Sequence, residues 1–295
     1  VSQAEWAEKI EKDLKGKSID ILNYSPELGI ETKAHFHADD NVQPNDLEGF
    51  DSNDWYIQEN FSDSENKKIL DKLQKGCDSI QIDVNDKTHY KNLFTDIELK
   101  YISTEFKFKD NANWNNLNTF LSVKKSPNVN ISFPVLTNGL ENGYFNNSLQ
   151  HFSIFNKSLI NSGAKTIHVD GFTMGHAGAS TIQELAICLA QLSEYTQHLL
   201  KEEYSLEEIS EALYTTLSVN DEYFTNIAKF RAYQVLLNHF FENFDEDFWL
   251  DNMDHADGLP VLVLKYINPK TKNQKLYWPN SHRPLVTAPA LQLGQ

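Results

Sequence analysis

Residues 166–200 read TIHVDGFTMGHAGASTIQELAICLAQLSEYTQHLL, and this stretch decides the fold. Thr166, Ile167, His168 and Val169 make a short run rich in β-branched residues that stops at Asp170-Gly171. Gly175 and Gly178 predict a loosened loop where the strand ends. Ser180-Thr181 then opens a helix, with Glu184 three residues after Thr181 at the spacing of a capping box. Ile182, Leu185, Ala186, Leu189 and Leu192 recur at three and four residues, which predicts one buried helical face. A strand, a loop at its C-terminal end and a helix are one unit of an α/β fold. In a (β/α) barrel such loops carry the chemistry.

Working outward, the same alternation recurs. Helices are expected over 64–75, 111–124, 148–160 and 223–244, and a short one follows Ser205, which stands three residues before Glu208. Strands are expected over 80–84, 101–108, 129–135, 213–219 and 260–267. With the opening strand this makes about six, two fewer than an eight-stranded barrel requires. The expectation is therefore a TIM-type (β/α) barrel, incomplete or truncated, with an open six-stranded doubly wound sheet as the structural alternative. No GxGxxG follows a strand to support a dinucleotide site. Ahead of the barrel, Ser2 with Glu5 caps a helix carrying Trp6, Ile10 and Leu14, and 39–53 is polar and acidic. The first fifty-odd residues hold too few apolar positions for a core. They divide the chain into an N-terminal helical arm and linker (1–53) and a barrel domain (54–295).

A formal net charge of −16 argues against nucleic acid and against anionic membrane surfaces, because phosphates need a basic partner. No run of about eighteen apolar residues is present to span a membrane. The acidic, amphipathic start does not read as a secretory signal. The cysteines, Cys77 and Cys188, lack CxxC spacing and sit in or beside periodic apolar segments, as reduced core thiols of a cytoplasmic protein do.

VDGFTMGHAGASTIQELAICLA (169–190) resembles the strand-four signature of the methylmalonyl-CoA mutase family. TNIAKFRAYQVLL (225–237) resembles that family's segment after strand five. EWAEKIEKDLKGKSID (5–20) is similar to the N-terminal arm of its small, β subunit. NDWYIQENF (53–61) resembles the segment before the first barrel helix, and NQKLYWPNSHRPLVTAPALQLG (273–294) is faintly similar to the segment after strand six. The resemblance implies a (β/α) barrel, and in the family a cobalamin-binding flavodoxin-like domain follows it. It also marks departures. Asn60 stands where catalytic members carry a tyrosine that contacts the acyl group, and Gln58 where they carry a basic residue. Thr173 takes the place of a histidine after Gly171-Phe172, and Asn226 that of an acidic residue before Ile-Ala-Lys. The cobalamin motif DxHxxG is not matched: His255-Ala256-Asp257-Gly258 has Met253 two residues before the histidine.

The resemblance therefore implies a non-catalytic subunit that binds no cofactor itself. Its partner would be a large subunit holding adenosylcobalamin, in a heterodimeric isomerase that interconverts methylmalonyl-CoA and succinyl-CoA. Two rival readings stand beside it: an acyl-CoA-binding or active mutase chain with divergent site residues, and a self-associating homodimer that pairs through the arm and an unclosed sheet edge. The degenerate catalytic positions are Asn60 and Thr173. His176, on the glycine loop, is the remaining acid/base candidate, and Gln58, Lys229 and Arg231 are the substrate-binding candidates, the latter two for CoA phosphates. Lys229 and Arg231 read more simply as a solvated or interface face. Asp170 reads as a structural carboxylate at a strand end. His35 and His37, on one side of an extended stretch, read as surface histidines, because a metal would need a third ligand such as Asp39 or Asp40.

Overall fold

The computed structural model describes residues 2–27, 30–37, 40, 56–63, 65–108, 114–124, 128–133, 135–142, 148–159, 162–245, 261–266 and 285–287. Trp55, Asp39, the 255–258 motif and most of 273–294 lie outside these residues. The chain divides into two compact units, Val1–Gly49 and Phe50–Gln295.

In the first unit, helix α1 (Gln3–Asp13) starts at Ser2 with the expected capping box: the Glu5 N–H donates to the Ser2 hydroxyl and the Ser2 N–H to the Glu5 carboxylate. Strands β1 (Tyr24–Glu27) and β2 (Ile30–Thr32) pair antiparallel. His35 stacks on Trp6 with ring centroids 4.0 Å apart. Asp40 accepts from the His37 N–H at 2.7 Å, from Lys33 at 2.8 Å and from Gln3 at 3.1 Å. The His37 N–H and then Lys33 hold its carboxyl down at about 2.

The second unit runs β3 (Tyr56–Ser62), α2 (Asn66–Gln74), β4 (Ser79–Val84), α3 (Tyr90–Leu93), β5 (Ser103–Phe108), α4 (Asn115–Val123), β6 (Val129–Ser132), α5 (Val135–Asn142), α6 (Ser148–Leu159), β7 (Ile167–Asp170), α7 (Phe172–His176), α8 (Thr181–Lys201), α9 (Leu206–Glu211), β8 (Leu213–Val219), α10 (Tyr223–Glu242), β9 (Val261–Tyr266) and β10 (Leu285–Thr287). These strands form one eight-stranded sheet in the order β6-β5-β4-β3-β10-β9-β8-β7. All neighbours pair in parallel except β10, which is antiparallel to β3 and β9. At the two ends of this order, Lys165 bridges Asn130. The Ile131 N–H donates to the Lys165 carbonyl and the Lys165 N–H to the Val129 carbonyl, each at 2.8 Å. The expectation of about six strands is thus corrected to eight. The sequence hides β3 because Gln58, Glu59 and Asn60 interrupt its apolar alternation, and β10 because it is three residues long.

Alternation along the parallel strands sorts the side chains onto two faces. Ile80, Ile82 and Val84 on β4, Phe106 and Phe108 on β5, Val129 and Ile131 on β6, Ile167 and Val169 on β7, and Leu213 and Leu217 on β8 join the buried core with residues of the helices. Within that core Phe133 stacks on Phe155 at 4.7 Å, and Trp114 meets both edge-on at 5.8 and 5.6 Å. Such pairs contribute about 0.5–1.5 kcal/mol each beyond area burial. The alternate residues are polar and mostly buried: Gln58, Ser79, Gln81, Ser103, Glu105, Asn130, Ser132, His168, Asp170, Thr216 and Ser218. Buried polar groups need hydrogen-bond partners, so this polar face must have its own.

The opening stretch folds largely as read, with three corrections. The glycine loop is the short helix α7. The capping box of α8 is Ser180 with Gln183, not Thr181 with Glu184. The buried side of α8 carries Leu185, Cys188, Leu192, Tyr195 and Leu199, while Ile182 and Ala186 are exposed and Leu189 is half-buried. The sequence phase was one position out because Glu184 and Gln191, both polar, are buried too. Cys77 and Cys188 are free and buried; burial pushes the Cys77 thiol up to about 11 and the Cys188 thiol well above its ordinary value.

Candidate functional site

The C-terminal end of β7 is where an α/β enzyme would place its chemistry. Apolar Ile167 and Val169 point to the helices, so His168 and Asp170 share the polar face. His168 is buried; its Nδ1 lies 2.9 Å from Ser132 Oγ on β6 and its Nε2 3.0 Å from Thr216 Oγ1 on β8. Its ring lies flat on Tyr214 of β8, with centroids 4.5 Å apart and 6° between planes. Burial first, and then the charge of Glu105, raise the Tyr214 phenol well above its usual range, so it remains protonated.

Asp170 joins several elements through its side chain and backbone. Oδ1 accepts from the Thr173 N–H and from Thr216 Oγ1, each at 3.0 Å. Oδ2 accepts from Thr173 Oγ1 at 2.7 Å and from Thr137 Oγ1 at 3.5 Å. Its own N–H donates to Gln191 Oε1 at 3.1 Å, and its carbonyl accepts from Gln191 Nε2 at 3.0 Å. One residue thus ties β7 to α5, α7, α8 and β8. Thr173, in the position where the family resemblance calls for a histidine, uses its backbone N–H and its hydroxyl on this carboxylate.

Beside it lies a buried ion pair. Lys229 Nζ donates to Glu184 Oε2 at 2.9 Å, to the Ser218 carbonyl at 2.5 Å and to Ser218 Oγ at 3.1 Å. Glu184 in turn accepts the Ser218 N–H and hydroxyl, both at 2.6 Å. The side chains of Lys229 and Glu184 are 3% and 1% exposed, which rules out the solvated face expected for Lys229 and leaves it no open path to a CoA phosphate. Two glycines permit this packing. A Cβ on Gly175 would fall on the Ser218 hydroxyl and within 3.1 Å of Glu184 Oε2. One on Gly171 would stand 2.6 Å from Cys188 Sγ and 2.9 Å from Leu217 Cδ2.

The other sequence candidates do not converge here. His176 is exposed and stacks on Phe172 at 5.7 Å. Arg231 is exposed on α10. Gln58 is buried on β3, with neither amide atom hydrogen-bonded to protein, while Asn60 on the same strand is exposed. Asn226 caps the turn before α10, donating to the Asn220 carbonyl at 2.9 Å. Sequence reasoning missed Ser132, His168, Thr216 and Glu184. The alternation of His168 and Asp170 with Ile167 and Val169 was the available signal for His168, because it places two titratable groups together on one face of one strand; Ser132 and Thr216 come from other strands.

Breaking the ion pair leaves a buried charge without its counterion. Lys229→Met is expected to lower the unfolding free energy by about 3–5 kcal/mol. Urea denaturation read by circular dichroism measures this; a loss below about 1 kcal/mol, as for an exposed pair, would contradict the burial described.

Comparison with known proteins fits this geometry. A family model described as methylmalonyl-CoA mutase matches residues 150–248, the segment that contains β7, α7, α8, α9, β8 and α10. The methylmalonyl-CoA mutase small subunit of Porphyromonas gingivalis (strain ATCC BAA-308 / W83) is 25% identical over 268 residues, covering 79% of this chain and 42% of that protein. The chain therefore spans less than half the length of this curated relative. The matched segment holds the Asp170 junction and both partners of the buried ion pair. By these comparisons residues 150–248 are similar to the methylmalonyl-CoA mutase family, and the chain as a whole is similar to one of its small subunits.

Proposed function

We propose that this chain is a non-catalytic small-subunit homologue of methylmalonyl-CoA mutase. It supports a large subunit that carries adenosylcobalamin and interconverts methylmalonyl-CoA and succinyl-CoA in a cytoplasmic heterodimer. Residues 54–295 then form a (β/α) TIM-type barrel, for which the hydrogen bonds between β6 and Lys165 at the two ends of the strand order are the support. Residues 1–53 serve as the arm and linker. Among the described residues no helix is long and apolar enough to cross a membrane.

The observation that carries this reading is the closed hydrogen-bond set at the end of β7. Thr173 offers no proton-transfer group, and its hydroxyl is directed to Asp170 at 2.7 Å. General acid–base work needs a group that can reach substrate. The imidazole nearest this point, His168, lies within β7 between Ser132 and Thr216, and not after Gly171-Phe172 where the resemblance places the mutase histidine. The exposed one, His176, belongs to the five-residue helix α7 and stacks on Phe172. No step of the radical chemistry is assigned to either histidine. Co-expression with a mutase large subunit tests the reading. The two chains are expected to co-elute in size exclusion at micromolar concentration; separate elution, or this chain as a homodimer alone, would overturn it.

A second reading, acyl-CoA binding by this chain, is favoured by the polar face. Gln58 and Ser79 are paired in register there, with buried polar atoms that have no protein partner. A packed Phe and Leu interior would have excluded it. Isothermal titration of the full chain with methylmalonyl-CoA is expected to give heat at micromolar ligand under this reading; no heat at millimolar ligand would remove it.

A further inference from the structure

The hydrogen bonds around His168 have a direction. Thr216 Oγ1 carries one hydrogen, and it points to Asp170 Oδ1 at 3.0 Å, because a carboxylate can only accept. The Thr216 oxygen therefore accepts from His168 Nε2 at 3.0 Å, so Nε2 bears the ring hydrogen. A neutral imidazole then presents Nδ1 as a bare acceptor, and 2.9 Å away stands Ser132 Oγ–H. The order is hydroxyl, imidazole, hydroxyl, carboxylate: a nucleophile, a base, and groups that fix the tautomer of the base. Tyr214 supplies a further element. Its ring lies flat on the His168 imidazole, and its buried hydroxyl has no hydrogen-bond partner among the described residues.

Access follows from the gradient of exposure across the polar face. Ser132 is buried, but Lys107, its register partner on β5, is exposed; Asp83, the next partner on β4, is half-buried, and Ser62, the next on β3, is exposed. Ser132 thus stands where the closed side of the face, on β7 and β8, meets the open side.

We propose that Ser132 is an activated nucleophile that takes acyl groups from carboxylic esters or thioesters. Ser132 Oγ bonds to the acyl carbon as its proton passes to His168 Nδ1. The carbon–oxygen or carbon–sulfur bond to the leaving group breaks, and the leaving alkoxide or thiolate takes that proton from Nδ1. Asp170, acting through Thr216, stabilises the transient imidazolium. Water then attacks the acyl-serine with His168 as base, releasing a carboxylic acid and restoring the hydroxyl. This activity goes beyond the mutase-subunit reading, in which the chain is non-catalytic with respect to the mutase reaction, and it uses only side chains of this chain.

The test is treatment of the full chain with a fluorophosphonate probe at pH 7.5, followed by peptide mass mapping. One probe per chain on Ser132 is expected, and none after Ser132→Ala. Thr216→Val, which keeps the shape and removes the hydroxyl that orients His168, is expected to slow labelling by about 10²-fold or more. Failure of Ser132 in the unmodified chain to take the probe would overturn the proposal, and so would an unchanged labelling rate in a folded Thr216→Val chain. Loss of the large-subunit interaction has no bearing on this readout, so the two ideas fail separately.

Discussion

The carboxylate of Asp170 is the constraint on which the rest of the site depends. It is buried, and a buried carboxylate is tolerable only when its oxygens have donors. Those donors come from Thr137, Thr173 and Thr216, while the Asp170 backbone is read by Gln191. Every one of these positions must therefore be held in place. Gly171 lets β7 turn against Cys188 and Leu217, and α7 then begins one residue later, which brings the Thr173 N–H and hydroxyl onto the carboxylate. The loop where this fold usually places chemistry is here used to hold itself together.

The Glu184–Lys229 pair extends the same logic one layer outward. It joins α8 to α10 through the backbone and hydroxyl of Ser218 on β8. Its worth lies less in net stability, which a buried pair seldom supplies, than in fixing one arrangement of three elements. Gly175 is the compatible residue on α7, because any Cβ there would enter this cluster. The two polar clusters share β8, so the register Asp170↔Thr216 positions both. That shared strand links the family-matched segment, 150–248, into one unit of structure.

Most of the α/β alternation was legible in the sequence, because apolar period and capping residues act locally. The helices α8, α9 and α10 and the strands β7, β8 and β9 fall within a few residues of expectation. Strands β3 and β10 were not legible. Their pairing depends on residues far away in the chain, and the polar run Gln58-Glu59-Asn60 is stabilised by tertiary contacts such as Lys72 with Glu59 at 3.1 Å. The same limit explains Lys229. A lysine on a helix reads as solvated until a buried glutamate from another helix is seen to face it. Loss of the expected histidine at Thr173 was visible from the sequence alone, whereas the use made of Thr173 was not. It requires knowing that Asp170 turns inward.

If Asp170 is the junction described, removing its carboxylate strands the Thr173 N–H and the hydroxyls of Thr137, Thr173 and Thr216 in a buried setting. Equilibrium urea unfolding of Asp170→Ala measures this most directly. A loss of about 3 kcal/mol or more is expected, since hydrogen bonds to charged groups contribute about 1.5–3 kcal/mol each. A variant as stable as the parent chain would contradict the account.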